Sequence, residues 1–247
     1  MGRSLELLPG VPEDYVRGRL TAGGGKEIKS GKFMSPDSSA ALAVNAFAWF
    51  HPQPAILPPI PGTEDAGWPP VRVEVEYCAR FPWPGGRHPW LDAFIETATH
   101  IVGVESKRHE PFRDKKTVRL SKAYDRSWGE HMGAYEAMRD HLRSGKAPFV
   151  HLDAAQLVKH AFGLITESDR KGEKKPILVY LYAEPSCWPT EAIERHRAEI
   201  DTFTRAVNGA AVRFSSLRWG DWLASWPARG NAPLATHRKN LINRFDL

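Results

Sequence analysis

Three short segments with the pattern of a β-strand follow one another between residues 71 and 107. Val71–Tyr77 alternates apolar and polar residues, whereas Trp90–Glu96 and Ile101–Lys107 are rich in residues that favour strands. The connections between them are short, and parallel neighbours would need a longer crossover. A turn is expected between Phe81 and Pro89. The sequence therefore predicts an antiparallel three-stranded meander.

Further helices and strands alternate around this meander. Predicted helices cover residues 35–50, 127–143, 153–163, 190–208 and 219–226, and predicted strands cover 176–182 and 212–217. Asp153 and Thr190 are suited to begin their helices, and Gly163 is suited to end one. This order predicts an α/β fold in which a mixed central sheet is flanked by helices.

Three segments lack a clear pattern and set the expected domain bounds. Residues 1–35 are polar and contain several glycines, which predicts a partly disordered N-terminal arm. Residues 36–226 form the expected domain, and 227–247 form a basic, loosely patterned tail. Seven prolines between residues 51 and 70 predict an irregular surface excursion, since proline disrupts both helices and central strands.

The composition narrows the class of protein. The 247 residues carry a net charge of +5, which favours an anionic partner such as nucleic acid. Two cysteines form no metal-binding motif, and the motifs of zinc hydrolases and serine hydrolases do not occur. No apolar run has the length of a membrane span, so we expect a soluble cytoplasmic protein with no membrane partner.

The chemistry of the chain is expected where two of the predicted strands end. Glu105 and Lys107 are two residues apart on the third strand, so their side chains leave on the same face. Asp92 on the second strand lies close to Glu105 if the pairing register allows. Two carboxylates that converge in this way suit Mg²⁺ or Mn²⁺. Lys107 would orient or help to deprotonate an attacking water, or stabilise a phosphate.

An ordinary ion pair between Glu105 and Lys107 at the surface is the alternative interpretation. Three features of the sequence argue against it. The pair ends an apolar strand, an acid follows Pro89-Trp90-Leu91 on the preceding strand, and basic residues follow Lys107 at once. Together these features favour a site that hydrolyses phosphodiester bonds.

The segments His88-Pro89-Trp90-Leu91-Asp92 and Val104-Glu105-Ser106-Lys107 resemble the PD-(D/E)XK nuclease superfamily, the restriction-endonuclease-like fold. Residues 35–220 are similar to a group of bacterial restriction-endonuclease-like proteins. The resemblance implies an αβββαβ core with an N-terminal arm and C-terminal additions. It also implies a Mg²⁺-dependent DNA endonuclease in which Mn²⁺ can substitute, Asp92, Glu105 and the Ser106 carbonyl bind the metal, and Lys107 is catalytic.

One departure from this family concerns a third acid. Members often contribute it from the first helix, but residues 38–50 contain no acid. Glu76, at the end of the first strand, is our substitute as a catalytic residue, and Glu96 is a weaker candidate. Glu110 is expected to be a partner of Lys107.

The basic segment 107–126 and the helix at 153–163 are the expected DNA contacts. The candidate residues are Arg108, Arg113, Lys115, Lys116, Arg119, Gln156 and Lys159. The proline-rich segment and the tail, which includes Arg229, would contact either bases or a second subunit. A homodimer is expected if both strands of a palindrome are cut. A non-catalytic DNA-binding or assembly module, and a nuclease acting on RNA or single strands, remain alternatives.

Overall fold

The computed structural model describes residues 5–24, 26–83, 87–145, 149–227 and 230–247. Pro84, Gly85 and Gly86 of the predicted turn, and Arg229 of the tail, lie outside the described residues. The helices are α1 (Glu13–Ala22), α2 (Lys26–Ser30), α3 (Ser39–Ala48), α4 (Glu110–Arg113), α5 (Gly133–Arg143), α6 (Ala154–Arg170), α7 (Thr190–Ala206), α8 (Trp219–Ser225) and α9 (Ala232–Phe245). The strands are β1 (Arg72–Cys78), β2 (Trp90–Glu96), β3 (His100–Lys107), β4 (Lys175–Tyr182) and β5 (Arg213–Arg218).

The five strands form one mixed sheet in the order β1-β2-β3-β4-β5. The first three are antiparallel, with Val75 opposite Ala93 and Ala93 opposite Val104. The last three are parallel, with Glu105 opposite Tyr180. The predicted meander and the predicted mixed sheet flanked by helices are therefore confirmed. Strand β3 belongs to both halves of the sheet.

Helices cover both faces of the sheet and divide the core into two layers. Alternate residues of β3, such as Val102 and Val104, pack beneath α3, α8 and α9. Residues that point the other way, such as Ile101 on β3 and Leu178 on β4, pack beneath α5, α6 and α7. Because a strand directs successive side chains to opposite faces, this division follows from the period of two.

Both flanking segments contribute helices to the core, which differs from the loose structure expected there. In the N-terminal segment, Val16 and Leu20 of α1 are buried against the sheet. In the tail, Asn231 accepts a hydrogen bond from the amide of Leu234 and begins α9, whose Phe245 is fully buried. Two or three buried apolar residues anchor each helix. So few apolar positions give only a weak helical periodicity, which is why the sequence did not predict these helices.

Two predicted helix boundaries are wrong. Gly163 does not end its helix, since α6 continues to Arg170. A β-carbon at Gly163 would lie 2.7 Å from Pro89 Cγ and 2.9 Å from Ala79 Cβ, so this glycine permits close packing instead. At α7 the capping position is Pro189, so Thr190 is the first helical residue. No helix in the described part of the chain is long and apolar enough to cross a membrane.

Close packing at Gly163 predicts a steric cost for any larger residue. We expect Gly163→Ala to destabilise the protein by roughly 1–3 kcal/mol, which is the usual effect of overpacking. Gly220→Ala in α8 is the matched control, because a β-carbon there meets nothing within 4 Å. Urea denaturation measures both, and equal stability of the two variants would contradict the packing role.

Candidate active site

The structure brings Asp92, Glu105 and Lys107 together at the ends of β2 and β3. The ladder between these strands ends with Ala93 opposite Val104, so Asp92 and Glu105 both lie directly beyond its last pair. Asp92 Oδ2 accepts a hydrogen bond of 2.6 Å from the amide of Ser106. The register thus ends beside the two carboxylates, and the charge of Glu105 acts on Asp92.

Glu105 and Lys107 form a hydrogen-bonded ion pair in the interior. Glu105 is only 2 % exposed, and the Lys107 ammonium donates to its Oε1. Tyr180, the partner of Glu105 on β4, is also buried. An ordinary ion pair at the surface does not fit this burial. Removing two charges from water is costly, and a functional role explains why a fold would keep such a pair.

Glu110 on α4 adds a third carboxylate to this cluster. Its Oε1 accepts a hydrogen bond of 2.6 Å from the Ser39 hydroxyl, and its Oε2 accepts one of 2.9 Å from the amide of Arg108. Burial opposes its ionisation, but the charge of Lys107 and these hydrogen bonds lower the pKa of Glu110. The expected partnership with Lys107 is thus electrostatic. Helix α3, which contains no acid, contributes Ser39.

His160 of α6 completes the cluster and was missed by the sequence analysis. Its Nδ1 lies 3.2 Å from Glu105 Oε2, and both atoms are buried without a hydrogen-bond partner. Burial, together with the nearby Lys107 charge, lowers the pKa of His160 to about 3. The only signal in the sequence is a histidine within the apolar stripe of a helix, which seldom distinguishes a site from a core.

The electrostatics of the cluster reflect an excess of negative charge. Burial and the charge of Glu105 raise the pKa of Asp92 well above its usual range, and burial raises that of Glu105 although Lys107 opposes the effect. Burial alone would lower the pKa of Lys107, but Glu105, Asp92 and Glu110 raise it further, so its ammonium form is favoured. Three ionised carboxylates around one ammonium would leave two negative charges uncompensated.

The charge excess and the unpaired Glu105 Oε2 fit a divalent cation. Such a cation would be held by Asp92 and Glu105, since Mg²⁺ in proteins often uses one or two carboxylates and completes its shell with water and phosphate. Protein side chains alone would not fill the coordination shell of such an ion. Among the described residues, no three His, Cys, Asp or Glu side chains form a group that could hold a metal ion by themselves.

The structure places the other two acids away from the cluster. Glu76 has a φ of 49°, and its carbonyl accepts a hydrogen bond of 2.6 Å from Arg19. Its carboxylate lies beside Gly23 at the end of α1, a helix that packs on the opposite face of the sheet from α6. Glu96 lies at the far end of β2, where Lys174 donates to it at 2.8 Å. The period of two could not reveal the backbone irregularity at Glu76.

A cleft of about 660 Å³ opens beside the cluster, with His160 in its wall. Three of the predicted DNA contacts, Arg119, Gln156 and Lys159, line this cleft. The remaining lining residues are mostly aromatic or basic, and they include two that the sequence analysis did not select, Trp83 and Arg87. The cleft thus combines positive charge with flat apolar surfaces.

The other four predicted DNA contacts do not line this cleft. Arg108 is 5 % exposed, and its guanidinium donates to the carbonyls of Pro36 and Phe245. It therefore ties the end of α9 to the segment before α3, and it has no surface to offer a duplex, which differs from the expectation. Lys116 donates to the Glu110 carbonyl. Arg113, paired with Asp114, and Lys115 are exposed.

The mixed sheet, with opposed acids and a lysine at the ends of two central strands, defines a restriction-endonuclease-like α/β protein. The chain belongs to the family described as restriction endonuclease associating with ARP, which matches residues 5–245. The match includes α1 and α9 as well as the sheet, and it confirms the resemblance to restriction-endonuclease-like proteins. No curated protein and no solved structure matches the chain.

The raised pKa of Asp92 predicts that its charge destabilises the metal-free fold. At neutral pH we expect Asp92→Asn to raise the stability by about 1 kcal/mol, which shifts the melting temperature of a chain this size by roughly 2–4 °C. The gain should shrink as the pH falls through the raised pKa of Asp92, because the wild-type carboxyl then becomes neutral. Thermal unfolding in EDTA measures this effect.

Glu96→Gln, on the same strand, is a control for which we expect the opposite change in stability. Burial opposes the ionisation of Glu96, but hydrogen bonds from Lys174 and Lys171 lower its pKa, so its charge stabilises the fold. The variant should therefore melt below the wild type at neutral pH. If Asp92→Asn also melted below the wild type, Asp92 would not carry an unfavourable charge.

Proposed function

We propose that the protein is a metal-dependent DNA endonuclease of restriction type that hydrolyses phosphodiester bonds with Mg²⁺, for which Mn²⁺ substitutes. The observation that carries this proposal is the buried cluster in which Glu105 pairs with Lys107 and Asp92 accepts from the amide of Ser106, the residue between them. Membership of a restriction endonuclease family supports it. Buried, like-charged carboxylates are costly to a fold, and such groups are concentrated at functional sites.

The residues of the cluster divide the work of hydrolysis. A divalent cation held by Asp92 and Glu105 would supply a more acidic bound water and charge for the phosphate oxygens. Lys107 has a raised pKa and stays protonated at neutral pH, so its ammonium stabilises negative charge on the phosphate rather than removing a proton. The carboxylate of Glu110 is itself ionised, and its negative charge favours the ammonium form of Lys107.

The DNA backbone would follow the positive charge of the cleft. Arg87, Arg119 and Lys159 line it, and His160 links its wall to the cluster. Contacts of this kind bind phosphates and give affinity that depends strongly on salt. Since the described residues of the chain contain one cluster of this kind, a cut through both strands is proposed to use a homodimer.

Cleavage of supercoiled and linear DNA tests the proposed activity. Wild-type protein with Mg²⁺ or Mn²⁺ should give discrete fragments, and EDTA should abolish them. Glu105→Gln should lower the rate by at least about 100-fold, because it removes one of two metal-binding carboxylates. Glu96→Gln, at the other end of β2, should cleave at close to the wild-type rate.

Two results would count against this activity. Equal cleavage by wild type and Glu105→Gln would locate the activity elsewhere or in a contaminant. Intact DNA binding without cleavage by the wild type, with either metal, would support a non-catalytic DNA-binding module, and RNA or single-stranded DNA would be the next substrates.

The cleft predicts where DNA binds. We expect the double variant Arg119→Ala, Lys159→Ala to weaken duplex binding and to lower the slope of log K against log salt by about 2, as two lost phosphate contacts require. Arg205→Ala, an exposed arginine of α7 outside the cleft, is the matched control. Fluorescence anisotropy at several salt concentrations measures both, and an unchanged slope in the double variant would move the DNA path away from the cleft.

A further inference from the structure

The contact between His160 and Glu105 is unusual for a buried pair of polar side chains. Both residues are 2 % exposed, and Nδ1 and Oε2 face each other at 3.2 Å. Neither atom has a hydrogen-bond partner, because the geometry of the contact does not satisfy a hydrogen bond between them. Buried polar atoms in folded proteins nearly always have a partner.

The buried His196 of α7 gives a comparison for His160. Its Nε2 lies 3.0 Å from the Tyr180 hydroxyl in a hydrogen bond, whereas its Nδ1, like that of His160, has no hydrogen-bond partner. His160 differs in what its unpaired Nδ1 faces, which is a carboxylate oxygen of a negatively charged cluster. When the neutral imidazole carries its proton on Nε2, Nδ1 and Oε2 direct lone pairs at each other, and a cation between them removes the repulsion.

The separation of these two atoms matches that of two ligands on one metal ion. Donor atoms about 2.1 Å from a metal, and at right angles to each other, lie about 3 Å apart. The observed 3.2 Å is close to this value. Helix α6 holds His160 rigidly, since the helix runs from Ala154 to Arg170 and its inner face is buried against the sheet.

We propose that His160 joins Glu105 as a direct ligand of the metal ion of this site, which gives it one nitrogen and one oxygen ligand. Asp92, whose Oδ2 accepts a hydrogen bond from the Ser106 amide, then reaches the ion through a bound water instead of directly. The remaining positions would be filled by water and phosphate oxygens, since the described residues provide no third side chain in this arrangement. Imidazole favours transition metals, whereas Mg²⁺ prefers oxygen. The site would therefore bind Mn²⁺ or Co²⁺ more tightly than Mg²⁺. This inference rests on the metal site of the proposed function.

Pulsed electron paramagnetic resonance of bound Mn²⁺ tests the nitrogen ligand directly. The full-length wild type with one equivalent of Mn²⁺ should show coupling to ¹⁴N, and uniform ¹⁵N labelling of histidine should convert it to ¹⁵N coupling. His160→Gln should lose this coupling, because it replaces nitrogen by oxygen. His196→Gln, the matched buried histidine on α7, should retain it.

Competition between Mn²⁺ and Mg²⁺ gives a second measurement that does not depend on activity. We expect His160→Gln to lower the preference for Mn²⁺ over Mg²⁺ by about tenfold, the lower end of the effect of disturbing a metal site. His196→Gln should leave this preference unchanged. If His160→Gln did not fold, His160→Ala would be measured in its place, and absence of ¹⁴N coupling in the wild type would overturn the inference in any case.

The outcomes separate this inference from the proposed function. Mn²⁺ bound without nitrogen coupling, or with a coupling that persists in His160→Gln, would overturn the ligand role of His160 while leaving an oxygen-only nuclease site intact. Absence of Mn²⁺ binding would also overturn it. DNA cleavage, assayed separately with Mg²⁺, decides whether the protein is a nuclease in either case.

Discussion

The structure depends on one buried arrangement of charge, in which three carboxylates surround a single ammonium at the end of β3. This strand pairs with an antiparallel neighbour on one side and a parallel one on the other, so its residues are shielded from water. Charges in such a position must be paired to be tolerated. Lys107 pairs with Glu105, but the surrounding elements add Asp92 from β2 and Glu110 from α4, so the cluster keeps an excess of negative charge. The neutral His160 of α6 faces Glu105 and does not offset this charge.

The ends of the chain are tied to the strand that carries this cluster. Arg108 directly follows β3, and its guanidinium binds the carbonyls of Pro36, before α3, and Phe245, at the end of α9. A cation at the carboxyl end of a helix is favourable, because the last carbonyls of the helix are otherwise unpaired. The N-terminal α1 is joined to β1 in a similar way through Arg19. The family match over residues 5–245 agrees with a site that needs both flanks to hold its strands in place.

The elements with a regular spacing of apolar residues could be predicted from the sequence, and the features that depend on a single tertiary contact could not. The alternation in β1 and the short connections after it predicted the meander, and so brought Asp92 near Glu105. His160 was missed because a histidine in the buried stripe of a helix looks like a core residue. Glu76 was selected for its position at a strand end, but a left-handed backbone turn takes its carboxylate to another face. Gly163 was predicted to end a helix because a glycine after an apolar helical stretch occurs both at helix ends and where a helix packs closely on its neighbour.

The two oxygens of Glu105 have different partners, and this difference limits how any change at the site can be interpreted. Oε1 accepts from Lys107, whereas Oε2 faces His160. Removing Lys107 would leave Glu105 buried with the charges of Asp92 and Glu110 and no ammonium to offset them, so it would harm folding as well as chemistry. A loss of activity on substituting Lys107 is therefore no measure of catalysis by itself. Glu105 is the better probe, because neutralising it lowers the excess of negative charge while it removes the oxygen that faces the proposed metal.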